Sequence, residues 1–508
     1  MAGNAPDEKA GRQLIIKVPE KYNGMTVAGA LRLLGLDIDL PCGGNGRCGK
    51  CSAVISAVDG GVRSEKTVKL CRETVQGEVT VYLPEKMVLG RTSSESLQGG
   101  ISGKNGISGA AEAFLAVDVG TTTIEAQLCS KDQTGSLLSF AALNPQKKYG
   151  ADVISRIAFS QTGGGLERLT ADIRNCINGM LRRCGEVFPG INVTDVYVAG
   201  NTTMQHLFLG VSPEGIGRHP FKPAFTETKR VKGSDIGIDA GCVTLLPSAD
   251  AFIGADVVAG AACLIKDDEG PALFIDLGTN GEMVLKADGK YYATSSAAGP
   301  CFEGANISCG TGGIPGAISK VEKNGSVTKL GTIGQKPPVG ICGAGLVSLI
   351  SMLLRDDIID ETGLMEEDFM INGLLNSDDP GSFTETGLAL TRKDVREFQL
   401  AKAAIRTGIE ILLERAGIGA KDVRRVYTAG GLGSYIDKHD AVEAGIFPPE
   451  FEDKILASGN TSLRGAAAAG IDPEFMINAE KLASVIDSFS LNDDKNFNTR
   501  FVDNMYFE

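Results

Sequence analysis

Four cysteines near the N-terminus have the residue type and spacing of metal–sulfur chemistry. Cys42, Cys48 and Cys51 share one loop with the spacing C-x5-C-x2-C, and Cys71 follows after a strand-like interval. Three thiolates on a short glycine-rich loop, with a fourth from a separate segment, can coordinate an iron–sulfur cluster. We therefore predict a 2Fe–2S cluster on these four residues. The alternative is zinc, which usually takes two close cysteine pairs, whereas this loop contains one CxxC.

The elements around the loop must bring the fourth cysteine to the other three. Gln13–Val18 and residues 79–83 are predicted strands, and residues 26–34 a short helix with one apolar face. Strand, helix, cysteine loop and strand make a small β-grasp unit, which we place at residues 12–86. It resembles 2Fe–2S ferredoxins, with a loop similar to the adrenodoxin-like variant and one residue longer than the plant-type C-x4-C-x2-C. The polar loop favours electron transfer over a purely structural cluster.

A stretch rich in serine and glycine follows at residues 87–113. This composition is typical of a flexible tether, and about 25 residues of coil span roughly 25–30 Å. We predict a linker that lets the N-terminal domain move between an electron donor and an acceptor. A passive spacer is the alternative.

Two copies of one pattern occupy the remaining sequence. Residues 114–128 and 273–285 each contain an apolar strand, an Asp, a Gly-Thr turn and another apolar strand. In each half a V-Y-x-A-G segment follows, at 196–200 and 426–430. A single hairpin of this kind is usually an ordinary β-turn. The same order in both halves instead predicts duplicated α/β subdomains that face each other across a cleft.

These hairpins suit a nucleotide with its metal ion. Glycine at the tip lets backbone N–H groups and threonine hydroxyls bind phosphate oxygens, and one Asp from each half can bind Mg²⁺. The predicted catalytic and magnesium residues are Asp118 and Asp276. The predicted ATP-binding residues are Gly120, Thr121, Thr122, Thr123, Gly278, Thr279, Asn280 and Gly281, with Gly430, Gly431 and Gly433 contacting adenosine.

Length and composition agree with a multidomain α/β protein. The 508 residues exceed one hydrophobic core, and the net charge of −13 argues against nucleic acid as a partner. There is no apolar run of membrane length and no secretory signal, so we expect a cytoplasmic protein whose 12 cysteines are thiols or ligands. We assign ATPase subdomains to residues 114–265 and 266–475, and a C-terminal tail that packs on them to residues 476–508.

The phosphate and adenosine segments resemble the signatures of the acetate and sugar kinase, Hsp70 and actin superfamily. This resemblance implies a duplicated, ribonuclease H-like fold of the actin and hexokinase type. Small-residue helices at 252–264 and 462–470 resemble the hinge helices of that superfamily, although ordinary tight packing explains them as well.

With the N-terminal module included, nearly the whole chain resembles the ATP-dependent reductive activators of corrinoid-dependent methyltransferases. Segments 144–157, 199–210 and 295–310 and the terminal FVDNMYFE carry this resemblance jointly. In one departure, the ATPase signature follows the linker almost directly, which leaves no room for the middle domain of longer members.

The resemblance implies a repair reaction in an anaerobic system such as O-demethylation. The corrinoid of such a methyltransferase system cycles through Co(I), and oxidation leaves inactive Co(II). The activator would return one electron through its 2Fe–2S cluster in an ATP-dependent step. Its partners would be a corrinoid protein and an unidentified low-potential electron donor, and the superfamily suggests a homodimer.

Other functions stay open on the residues alone. One is the activator of another radical enzyme such as a 2-hydroxyacyl-CoA dehydratase, although those activators usually bridge a 4Fe–4S cluster between subunits and lack a ferredoxin module. Another is a non-enzymatic redox-responsive switch that binds ATP. A sugar or acetate kinase is disfavoured because it would not need the cluster.

Overall fold

The chain divides into two units. The first contains Met1–Phe225 and Lys229–Leu245, and the second contains Thr226–Thr228 and Leu246–Glu508. The structure is a computed structural model. It describes residues 13–34, 36, 38, 51–59, 62–84, 98–101, 112–131, 135–266, 270–325, 327–376 and 380–507.

The N-terminal part of the first unit is a small antiparallel sheet with one helix. Its elements are β1 (Gln13–Val18), α1 (Val27–Leu33), β2 (Ser52–Asp59), β3 (Val62–Lys69) and β4 (Val79–Pro84), with the strand order β1-β4-β2-β3. Apolar residues of α1, such as Leu31, pack with Val18 and Val81 in a buried core. The β2–β3 hairpin is an addition to the elements expected from the sequence.

A larger sheet fills the rest of the first unit. Its elements are β5 (Gln98–Ile101), β6 (Glu112–Val119), β7 (Thr123–Ser130), β8 (Ser136–Leu143), α2 (Val153–Ser160), α3 (Gly165–Val187), β9 (Asn192–Gly200), α4 (Thr202–Leu209), β10 (Lys229–Lys232) and β11 (Cys242–Leu245). The strand order is β10-β11-β9-β6-β7-β8-β5. β6 is central and almost wholly buried, as expected for a strand covered on both faces.

One short strand lies within the predicted linker. β5 pairs antiparallel with β8, from Gln98 opposite Ala141 to Ile101 opposite Leu138. Two adjacent glycines, Gly99 and Gly100, have low strand propensity, so the sequence gives no sign of this pairing, which β8 provides as a template. Residues 87–97 and 102–111 of the predicted linker lie outside the described residues.

The second unit contains two sheets with helices packed on them. Its strands are β12 (Ala272–Leu277), β13 (Gly281–Ala287), β14 (Lys290–Ser296), β15 (Ala317–Asn324), β16 (Val327–Thr332), β17 (Gly340–Ile341), β18 (Phe369–Leu375), β19 (Phe383–Leu390), β20 (Arg425–Ala429), β21 (Ile455–Ala457) and β22 (Ile486–Ser488). Its helices are α5 (Ala255–Leu264), α6 (Gly343–Arg355), α7 (Arg392–Ala416), α8 (Gly430–Gly433), α9 (Lys438–Glu443), α10 (Thr461–Ile471), α11 (Pro473–Val485) and α12 (Phe497–Asp503). The sheet orders are β21-β20-β12-β13-β14-β22 and β17-β15-β16-β18-β19.

Helix α7 contributes a long buried face to the core of this unit. It begins at a capping box, in which Thr391 Oγ1 accepts from Asp394 N and Asp394 Oδ2 accepts from Thr391 N, and it ends at Gly417 with φ +70°. Its buried face, which includes Phe398 and Ile405, joins the main hydrophobic cluster, and it packs against β13 and β14. The helix therefore supports the hairpin between β12 and β13 from behind.

The small-residue helices α5 and α10 are in direct contact. A Cβ at Gly465 would lie 2.5 Å from the Cβ of Ala259, so only glycine permits this approach. Helix α5 therefore belongs to the second unit. Our predicted subdomain boundary after residue 265 would have placed it in the first. Beyond α10, β22 pairs in parallel with β14, and α12 packs on α7.

Candidate functional site

Both halves place the predicted Asp at the same point of a sheet. Asp118 lies opposite Ala199 along the parallel strands β6 and β9, and Asp276 lies opposite Ala429 along β12 and β20. The carboxyl ends of neighbouring parallel strands meet at one edge of a sheet. Each half therefore brings its Asp beside the glycine turn that ends the V-Y-x-A-G segment.

The first hairpin, residues 118–123, joins β6 to β7. Gly120 is required because a Cβ there would lie 2.6 Å from the carbonyl oxygen of Thr123. Asn201 Nδ2 donates to Thr121 Oγ1 at 3.0 Å, and Asn201 Oδ1 accepts from Met204 N at 2.9 Å, which caps α4. The side chains of Thr121, Thr122 and Thr123 are partly exposed in this turn.

The second hairpin, residues 276–281, joins β12 to β13. The hydroxyl of Thr279 donates to Glu303 Oε1 at 2.7 Å, while Asn280 is exposed. Gly281 is buried, and a Cβ there would lie 2.1 Å from Ile405 Cδ1. This glycine lets the hairpin pack on α7, whereas the sequence analysis had assigned it to phosphate binding along with Gly278.

The glycines of the predicted adenosine segment have three different surroundings. Gly430 has φ +80°, and a Cβ there would lie 2.3 Å from Asp276 Oδ1 and 2.7 Å from the carbonyl oxygen of Leu277. Gly433 packs on Thr428, while no atom lies within 4 Å of a Cβ built on Gly431. The structure thus brings Gly430 and Asp276 together and leaves Gly431 open.

Two acidic residues that the sequence analysis missed border Asp276. Glu282 lies opposite Asp276 across β12 and β13. Burial, and then the carboxylates of Asp256 and Asp276, raise the pKa of Glu282 well above its ordinary value. Burial and the Asp276 carboxylate also raise the pKa of Asp256 from 3.8 to about 7. The sequence signals were an Asp in the first turn of α5 and a Glu six residues after Asp276.

We expect Asp256→Asn to stabilise the unliganded protein above pH 7. The raised pKa means that folded Asp256 keeps a proton between pH 3.8 and about 7 that the unfolded chain releases. Stability from this group is therefore fully present below pH 3.8, and it falls as the pH rises through that window. Asparagine does not titrate, so the variant should gain up to about 4 kcal/mol over wild type at pH 8, because each pKa unit corresponds to about 1.4 kcal/mol.

Urea unfolding of both proteins at pH 5 and pH 8, without nucleotide or divalent metal, measures this difference. Asp239→Asn, which removes a carboxylate from the exposed surface, is the control. An advantage of Asp256→Asn that is equal at both pH values would contradict the raised pKa.

Two of the four predicted cluster ligands lie side by side. The Sγ atoms of Cys51 and Cys71 are 3.2 Å apart, and both residues are buried. The β2–β3 hairpin explains this contact, because Ser52 pairs with Lys69 and the two cysteines flank that pair. Two adjacent thiols supply a donor pair suited to one iron ion. Cys42 and Cys48 lie outside the described residues.

Among the described residues, no group of three or more His, Cys, Asp or Glu side chains has the geometry of a metal site. In the same part of the chain, no helix is long and apolar enough to cross a membrane.

Family models match most of the chain. Residues 114–266 match the RACo middle region, and residues 270–508 match the C-terminal domain of RACo, the ASKHA domain. Together the two matches cover well over half of the chain, and they confirm the predicted α/β ATPase fold. The first match corrects one expectation, because we left no room for a middle domain and residues 114–266 match the middle-region model.

Individual relatives agree with these models. The chain is 34% identical over 379 residues to the corrinoid activation enzyme RamQ of Eubacterium limosum, covering 69% of this chain and 63% of that protein. It is 31% identical over 250 residues to the [Co(II) methylated amine-specific corrinoid protein] reductase of Methanosarcina barkeri, covering 44% of each. The chain therefore spans less than two thirds of the length of either curated relative.

A solved structure resembles almost the entire chain. It is a reductive activator for a corrinoid, iron–sulfur protein, with a TM-score of 0.69, 25% identity and 96% of both chains covered. The family predicted from the sequence is confirmed by the two consecutive domain matches and by these relatives. This chain belongs to the RACo family, of which it carries the middle region and the C-terminal ASKHA domain.

Proposed function

We propose that this protein uses ATP to drive the one-electron reduction of an inactive Co(II) corrinoid protein to Co(I). The reaction would reactivate a corrinoid-dependent methyltransferase system such as an O-demethylase. The observation that carries the proposal is the likeness, over 96% of both chains, to a reductive activator for a corrinoid, iron–sulfur protein. The names of the two curated relatives support it, since both concern corrinoid activation or reduction.

The electron would pass through a 2Fe–2S cluster held by Cys42, Cys48, Cys51 and Cys71. The donor chemistry supports this assignment, because Cys51 and Cys71 are buried thiols 3.2 Å apart at the open end of a hairpin. When bound, such a cluster accepts and donates one electron at a time. The protein's own part is to supply thiolates from two segments and to shield them in the apolar core around Leu70 and Val75.

Mg-ATP would bind at the two Asp-Gly-Thr hairpins. Asp118 and Asp276 would bind magnesium, and Gly120, Thr121, Thr122 and Thr123 would bind phosphate with Gly278, Thr279, Asn280 and Gly281. Gly431 has the open surroundings that an adenosine contact needs, whereas Gly430 and Gly433 shape the turn. Asp256 and Glu282 add negative charge beside Asp276, which a divalent cation would neutralise.

ATP can assist the reduction if the nucleotide state of this protein is thermodynamically coupled to its affinity for the corrinoid protein. Reduction of Co(II) to Co(I) takes one electron, and for one electron ~59 mV corresponds to a tenfold change in equilibrium. A difference of about 10³ in affinity for the corrinoid protein between nucleotide states would thus supply nearly 180 mV. ATP hydrolysis would reset the protein for the next electron.

An anaerobic assay tests this function. Reduced protein is mixed with a Co(II) corrinoid protein of a methyltransferase system, and Co(I) absorbance is followed with and without Mg-ATP. We expect Co(I) with Mg-ATP and little without it, and we expect Asp118→Ala to abolish the difference. If an intact cluster and bound ATP give no Co(I) with any corrinoid protein tested, the proposal fails, and a dehydratase activator or a redox-responsive switch replaces it.

A further inference from the structure

Three consecutive carbonyl groups of the first hairpin are held from one side. Asn144 Nδ2 donates to Gly120 O at 2.8 Å, Arg156 Nη2 donates to Thr121 O at 2.5 Å, and Asn144 N donates to Thr122 O at 2.8 Å. Both anchoring residues are buried and belong to the segment 144–157. These contacts fix the orientation of each peptide plane in the turn.

The orientation of the carbonyls determines where the amides point. In a planar trans peptide, the C=O and the N–H of the next residue point in opposite directions. Because Asn144 and Arg156 hold the carbonyls of Gly120, Thr121 and Thr122, the following N–H groups turn away from them. Successive amides that converge on one side form the concave donor surface that anions occupy.

Arg156 is a buried cation whose hydrogen-bond partners are uncharged. Its side chain is fully buried, Nε donates to Gly150 O at 2.9 Å, and Nη1 donates to Gln146 Oε1 at 3.1 Å and lies 3.3 Å from Met204 Sδ. Within the described residues, no carboxylate forms an ion pair with it. The nearby carboxylate of Asp152 instead accepts from Ser155 N and Oγ, at 2.7 and 2.9 Å.

A buried charge with uncharged partners is costly unless an opposite charge comes near. Burial lowers the pKa of Arg156 to about 9, which still leaves the guanidinium charged at neutral pH. Neither Asp118–Thr123 nor Asp276–Gly281 contains a lysine or arginine. The Asp152 carboxylate offsets part of the burial cost without pairing with Arg156. A phosphate on the amide side of the first hairpin would supply a further negative charge, with the Thr121 peptide between it and Arg156.

We propose that Arg156 is a positioning residue of the nucleotide site, which fixes the Thr121 peptide and places a positive charge behind the phosphate-binding turn. This inference rests on the proposed binding of Mg-ATP at the first hairpin. It also gives the 144–157 segment a role in nucleotide binding: Asn144 and Arg156 hold the turn, and Gln146 holds Arg156.

Affinities for a series of ligands that differ in phosphate number test the inference. Arg156→Met is compared with Arg174→Met, because Arg174 also donates to a backbone carbonyl, that of Phe208 at 2.9 Å, but does not contact the hairpin. We expect Arg156→Met to weaken Mg-ATP about tenfold or more relative to the control, ADP by less and adenosine hardly at all. A purely structural role would weaken all three ligands equally.

The outcomes separate this inference from the proposed function. Equal Mg-ATP affinities of folded Arg156→Met and Arg174→Met would overturn the inference, as would equal losses for all three ligands. If Arg156→Met does not fold, Arg156→Gln and Arg174→Gln, which also remove the charge, are compared instead, and equal Mg-ATP affinities again overturn the inference. If the wild type binds no Mg-ATP, both proposals fail. If it binds Mg-ATP but yields no Co(I), only the proposed function fails.

Discussion

Replacement of Cys71 by serine is expected to remove the proposed iron–sulfur cluster and the proposed ATP-dependent Co(I) formation, while Mg-ATP binding stays unchanged. The Sγ atoms of Cys51 and Cys71 are in contact, so a hydroxyl at position 71 would leave one thiol without its neighbour in a buried pocket. Serine is a poor substitute for the thiolate that iron requires. Iron and acid-labile sulfide content, visible absorbance and Mg-ATP titration of the same preparation measure the three effects.

Cys129→Ser is the matched control for this experiment. Cys129 is also a buried thiol, but it lies in β7, and burial raises its pKa to about 11, so it is a neutral packing group. The control should keep its iron and its Co(I) formation. Full iron content in Cys71→Ser would show that the fourth ligand is another residue, and loss of iron in the control would show that the assay reports general instability.

Substitution of Gly430 by alanine is expected to weaken Mg-ATP binding, and with it Co(I) formation at limiting ATP, while the proposed cluster remains intact. The substitution would both strain the backbone and create a steric clash. A left-handed backbone costs alanine about 1–2 kcal/mol, and the new methyl group would lie 2.3 Å from Asp276 Oδ1, which must then move. Because Asp276 is the proposed magnesium residue of the second half, we expect Mg-ATP affinity to fall about tenfold or more, as for loss of one charge-assisted contact.

Gly417→Ala separates the two effects. Gly417 has φ +70°, close to that of Gly430, but no atom lies within 4 Å of its Cβ position. Both variants should lose the stability that left-handed alanine costs, and Gly430→Ala should lose more because its methyl group also meets Asp276 Oδ1 and the carbonyl oxygen of Leu277. Only Gly430→Ala should lose Mg-ATP affinity and Co(I) formation. Similar Mg-ATP affinities in the two variants would mean that Asp276 can shift without consequence, and its assignment to the site would be wrong.

The sequence predicted those parts of the site that depend on short motifs. The Asp-Gly-Thr hairpins and V-Y-x-A-G segments repeat in order, and the structure pairs them in the same register in both halves. Their glycines are informative because turns and close approaches select that residue. At Gly281 the close approach is to Ile405, while its predicted part in phosphate binding stays a prediction.

Other features depend on contacts distant in sequence. Arg156 lies 35 residues from Thr121, whose carbonyl oxygen it binds. The sequence around a single arginine in a helix does not show that its side chain is buried. Asp256 becomes part of the acidic group only when α5 comes close to Asp276. The β2–β3 hairpin was missed, although it is what brings Cys51 and Cys71 together.

The two hairpins share an Asp–Glu pair yet are electrostatic opposites. Asp118 faces Glu125 across β6 and β7, as Asp276 faces Glu282, but the described residues place a guanidinium behind the first turn and a third carboxylate, Asp256, beside the second. Under the proposed function, a polyphosphate would meet a positive charge behind the first turn and three carboxylates at the second. A divalent cation would therefore matter most at the second hairpin, and its chelation should weaken the contribution of that hairpin to nucleotide binding more than the contribution of the first.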